Sequence, residues 1–150
     1  MVSISCPSAR CVRDYGQMKS RHVSVWIEAD PEAVYEFAAD PQSWSEWAAG
    51  LAEGGLRQTS DGWVADSPMG QVTVEFSPRN EFGVLDHVVR LPSGEAVYNP
   101  LRVIPGGVGK SQCEVLFTVR RRPGMTDAQF DADAAAVGAD LDTLRRLLET

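Results

Sequence analysis

The chain is short of cysteine, histidine, basic charge and long apolar runs, and each shortage closes off a class of protein. Three cysteines, Cys6, Cys11 and Cys113, stand in 150 residues. Their number is odd and their spacing matches neither a stapled scaffold nor a zinc site, so a reducing, cytoplasmic setting is expected. Two histidines, His22 and His87, do not make a metal set, and neither metal nor cofactor is expected. No stretch approaches the roughly 20 apolar residues that cross a bilayer, and the first residues lack the apolar core of a secretory signal. Membrane insertion is therefore not expected. A Gly-x-Ser-x-Gly nucleophile elbow is absent. Lys and Arg total 14 against 21 Asp and Glu, for a net charge of −7. Such a surface repels phosphate backbones, so nucleic acid is not an expected partner.

What is present is ordinary globular material. Apolar residues make up 43% and charged residues 23%, enough for one well-buried core at this length. Residues 1–18 read as a flexible leader and 19–150 as the folded domain. Val23, Val25 and Ile27 alternate with His22, Ser24 and Trp26, the period of a strand. Asp30-Pro31 and Asp40-Pro41 each pair an N-cap with a proline at the first helical position, and so predict two short helices. Strand patterns then recur at 58–59, 63–66, 72–76, 84–91, 95–104 and 112–121, separated by Gly, Pro and Asp turns, as in an antiparallel meander. Thr126 and Gln129 form a capping-box pattern. After it Phe130, Ala134, Val137, Leu141, Leu144 and Leu148 recur every three or four residues along one face of a long terminal helix.

This order predicts an α+β, helix-grip fold: a curved antiparallel sheet of about seven strands, β-α-α-β6-α, around the C-terminal helix. One helix covers that many strands only if the sheet curls about it, and a curled sheet gripping a helix tends to leave a space between them. The chain resembles the START-like, birch-pollen-allergen-like (SRPBCC) superfamily, and within it the bacterial polyketide cyclase/dehydrase-type proteins. The resemblance rests on Val25 to Pro31, Val34-Tyr35, Asp40-Pro41 with Trp44 and Trp47, and the closing 140–148 segment. It implies a cavity for a small hydrophobic or aromatic molecule such as a lipid, quinone or polyketide-like metabolite. It supplies no shared catalytic residues, so whether the chain is an enzyme stays open. A polyketide cyclase/dehydratase-type enzyme is the alternative reading, and a protein-interaction module a further one. A homodimer also stays open.

Candidate ligand-binding residues follow from strand parity and the helix stripe. His87 shares an apolar face with Leu85, Val89 and Leu91, and Asn99 with Val97, Leu101 and Val103. With the 92–94 turn at the centre, position 87 pairs near 99, which puts one polar group on each strand facing the cavity. Phe130, Ala134, Val137 and Leu141 are expected to face the cavity from the helix. Trp63 is expected at the pocket mouth, and Tyr98 lines the pocket if the opposite face is the concave one. Asp86 points away from His87, so the two are not a dyad. Gly109-Lys110-Ser111 imitates the end of a phosphate-binding loop. The glycine required five positions earlier is Ile104, and a strand pattern follows where a helix is needed. A hairpin loop is expected there instead.

Overall fold

The computed structural model describes residues 19–49, 54–67 and 70–150. The proposed leader, Cys6 and Cys11 lie outside the described residues. Strand β1 (Ser20–Ile27) leads into helix α1 (Pro31–Ala39), a 3-10 turn (Pro41–Ser43) and the one-turn helix α2 (Trp44–Trp47). There follow β2 (Arg57–Thr59), β3 (Gly62–Ser67), β4 (Gly70–Phe76), β5 (His87–Arg90), β6 (Ala96–Asn99), β7 (Leu101–Pro105), β8 (Cys113–Arg120) and helix α3 (Asp127–Leu148).

The start signals read from the sequence are in use. The Asp30 carboxylate accepts from Glu32 N, and that of Asp40 from Gln42 N. At α3 the Thr126 hydroxyl accepts from Gln129 N while the Gln129 side chain accepts from Thr126 N, a complete capping box. Arg145 and Arg146 close the helix where its dipole favours cations.

Every strand pairing is antiparallel. Strands β1, β8 and β7 form one half in the order β1-β8-β7, and β2 to β6 run consecutively in the other. The segment just before β5 joins the halves. Leu85 N donates to Leu101 O, Val103 N donates to Gly83 O, and Val84 bridges Arg102. The strand expected at 95–104 is therefore two strands, broken at Pro100, which has no N–H for a ladder. The strand expected at 84–91 is regular only from His87 to Arg90. These breaks let one chain pass from one half of the sheet to the other, and they raise the count from about seven strands to eight.

Helix α3 lies over β1 and β8 and touches α2. Phe130, Ala134, Leu141 and Leu144 are buried along it. With Ile27, Val34, Trp44, Trp47, Leu101 and Val115, Leu141 and Leu144 form a first apolar cluster. Ala65, Val72, Val74 and Val89 on the other half form a second one, and Leu56 and Phe76 pack against both. Residues of both halves and of α3 border the same gap, so the sheet bends around the helix.

Candidate functional site

The gap between the two clusters is a cleft of about 240 Å3. Its floor is the concave face of β5 and β6, through Val89, Leu91, Val97 and Asn99, together with Phe117 and Val119 of β8. Trp44, Trp47 and Ala48 close one side, and Asp133, Ala136, Val137 and Asp140 of α3 close the other. Arg120 and Arg122 stand on the lining as well; Arg120 is exposed, and Arg122 reaches Glu95 at 3.6 Å.

His87 lies deepest. It is 3% exposed and pairs in register with Asn99 on one side and Phe76 on the other. The Trp44 ring meets it edge-on at 4.9 Å between centroids, with Phe117 at 5.9 Å and Phe76 at 6.2 Å. Such offset and edge contacts suit the charge distribution of aromatic rings. The enclosure desolvates the imidazole and pulls its pKa down from 6.5 to about 4, against the opposing pull of Leu85 O and Asp86. His87 is thus neutral at pH 7. Its Nδ1 stands 3.1 Å from Leu85 O. A carbonyl can only accept, so Nδ1 carries the proton and Nε2 is a bare acceptor.

Directly before it, Asp86 forms the joint between the halves. Its Oδ1 accepts from Leu101 N at 2.9 Å and from Arg102 Nε at 2.9 Å. Its Oδ2 accepts from Arg102 Nη2 at 2.8 Å and Tyr98 OH at 2.7 Å. The Asp86 carbonyl takes both Ser77 N and Ser77 Oγ. The paired Arg102 guanidinium, aided by Tyr98 and Leu101 N, holds the carboxyl at about 2, well below its ordinary range. Asp86 points away from the cleft as its parity required, yet it is 3% exposed. It fixes the bend that carries His87 and is a positioning group.

Of the eight candidate ligand-binding residues, the cleft brings together His87, Asn99 and Val137. The other five stand elsewhere. Phe130, Ala134 and Leu141 are buried on the stripe that α3 turns to the sheet, and Phe130 lies under the Arg21 guanidinium. Because α3 sits over β1 and β8, only its flank sees the cleft. There Val137, from the edge of the apolar stripe, is joined by Asp133, Ala136 and Asp140, one position round from it, which hydrophobic periodicity does not find. Tyr98 is 48% exposed on the outer face, bound to Asp86. Trp63 shares the concave face but packs against the second cluster, away from the cleft. Trp44, Phe76 and Phe117, the rings around His87, depend on pairings across strands and on α2. Among them only Trp44 carries a sequence signal, its three-residue spacing from Trp47.

Cys113 is fully buried, and that burial, reinforced by the Asp30 charge, pushes its thiol up to about 11. It packs as a small apolar group and is a poor nucleophile. The 105–111 loop is a turn, closed by Gly106 N to Gln112 O, with Asp30 and Glu32 beside it and strand β8 after it. Neither feature suits phosphate. Among the described residues no group of three or more His, Cys, Asp or Glu is placed to hold a metal ion, and no helix is long and apolar enough to cross a membrane.

No family model matches the chain, and no curated protein matches it in sequence. Solved structures match in shape. The Zhui aromatase/cyclase from Streptomyces superimposes with a TM-score of 0.64 at 14% identity, over 88% of this chain and 94% of that one. A START superfamily protein from Mycobacterium smegmatis gives 0.58 at 13%, over 88% and 97%. The chain has the START-like, helix-grip fold. Norcoclaurine synthase from Thalictrum flavum shares this START-like architecture, with a TM-score of 0.58 at 15% identity over 87% of this chain and 92% of that one. At these identities the likeness speaks for the fold, and a START-like fold hosts carriers and enzymes alike.

Proposed function

We propose that this START-like chain binds a compact, largely apolar molecule in the cleft between α3 and the bent sheet. The observation that carries the reading is the unfilled cleft between two apolar clusters, bordered by a buried histidine among aromatic rings. Protein interiors otherwise pack without such gaps. At about 240 Å3 the cleft falls just under the usual range for small-molecule sites, roughly 300–1,000 Å3, so one or two fused rings suit it better than a long acyl chain. Burial of apolar surface drives binding at about 25 cal/mol per Å2.

Binding without turnover is the reading the side chains favour. His87 is the buried titratable group of the cleft, and with a pKa of about 4 it is a weak base at neutral pH, ill-matched to general-base work. The charged residues of the lining are exposed or half-buried.

Native mass spectrometry of the purified protein tests this. A co-purified small molecule is expected, and Val137→Trp, which fills the cleft from α3, is expected to abolish it while leaving the fold intact by circular dichroism. An unchanged adduct in the folded variant would place the ligand elsewhere.

A further inference from the structure

The His87 ring has one hydrogen-bonding position committed and one open, and this sets what the ligand has to carry. Nδ1 donates to Leu85 O at 3.1 Å, and a neutral imidazole has no second N–H. Nε2 makes no hydrogen bond among the described residues. No fully buried side-chain nitrogen or oxygen among those residues is left without a partner. Nε2 therefore reaches open space, and the open space that His87 borders is the cleft. Trp44, Phe76 and Phe117 wall the ring off on its other sides.

We infer that the cleft selects molecules with a hydroxyl or N–H donor at their inner end, phenols and aromatic alcohols over ketones, quinones and ethers, because His87 meets them with a bare Nε2 acceptor. This rests on the cleft being the binding site. A carbonyl or ether oxygen would set lone pair against lone pair in a place walled by hydrocarbon, where an unpaired acceptor is costly. A hydroxyl in the same place completes the ring's hydrogen bonding. Sites built around one buried polar group reject analogues that cannot pair with it more strongly than they reject a change of size. Asn99, opposite His87 in register, donates through Nδ2 to Val97 O at 3.3 Å. Its amide can both accept and donate, so the discrimination falls to His87. Burial of the imidazole also keeps it from protonating at neutral pH and turning into a donor.

Isothermal titration with three probes of one size tests the inference: 2-naphthol, 2-methoxynaphthalene and 1-tetralone. The wild-type protein is expected to bind 2-naphthol about tenfold more tightly than either of the others, the scale of one net hydrogen bond. In His87→Phe the preference is expected to fall to about one. In His87→Gln, whose amide can donate, the ketone is expected to gain on the naphthol, and this variant decides the matter if His87→Phe does not fold. Equal binding of all three by the wild-type protein overturns the donor rule and leaves the cleft as the binding site. A preference that survives in folded His87→Phe overturns the role of His87. No binding of any probe, together with an adduct unaffected by Val137→Trp, overturns the cleft and the donor rule with it.

Discussion

Acidification addresses the burial of His87 directly. In the unfolded chain this histidine titrates near 6.5, and in the folded protein near 4. Between those values the unfolded state binds a proton that the folded state refuses, so stability falls as pH falls. The contribution is fully present above about 6.5 and fully lost below about 4. At about 1.4 kcal/mol per pH unit the whole effect is about 3.5 kcal/mol, with about 2.5 kcal/mol of it spent between pH 7 and 4.5. Against a typical stability of about 5–15 kcal/mol this is easily measured. Urea denaturation followed by tryptophan fluorescence across that range, for wild type and His87→Phe, isolates the term, because every other titrating group is common to both. The wild-type curve is expected to fall more steeply than the variant's by about 2.5 kcal/mol at pH 4.5. Parallel curves would mean that the imidazole is not held neutral by its aromatic neighbours, and the reasoning about its tautomer would fail as well.

Two further perturbations test the frame. Asp86→Ala is expected to cost about 3 kcal/mol in chemical denaturation, because it leaves the buried Leu101 N–H without an acceptor and Arg102 without its partner. The loss is expected to be non-additive with Arg102→Met, and simple additivity would show that the joint is not a unit. Gly138→Ala is expected to stabilise by about 0.5–1 kcal/mol through helix propensity. An added Cβ would sit 3.7 Å from Val23 Cγ1, ordinary contact, and a drop in melting temperature would mean that α3 lies closer to β1 than this.

Much of the frame was legible from local chemistry. The caps of α1 and α3 follow from residues within three positions of each other, and the 87-to-99 pairing follows from one tight turn. Joints set by distant partners were not legible. Pro100 looks like one residue in a long strand until Asp86 is seen accepting from Leu101 and Arg102, some fifteen residues away. The apolar stripe of α3 marks what faces the sheet, whereas the cleft is lined by the flank of the helix, and how far a helix sits to one side of its sheet is a tertiary property. Strand parity set Tyr98 opposite Asn99, and Tyr98 stands on the outer face. Trp63, expected at the pocket mouth, lies on the concave face away from the cleft, because which part of a curved face borders empty space is a tertiary property.

The separation of the two apolar clusters has a consequence for cooperativity. A single continuous interior ties every element to one melting event, whereas β2, β3 and β4 pack against a second cluster that meets the first through Leu56 and Phe76 and through the hydrogen bonds near Asp86. That part of the chain is free to loosen at lower cost than the region held by α3, as contiguous units of unequal stability do. A molecule seated between the clusters would bridge them, so occupancy would act as mortar, turning two loosely coupled blocks into one.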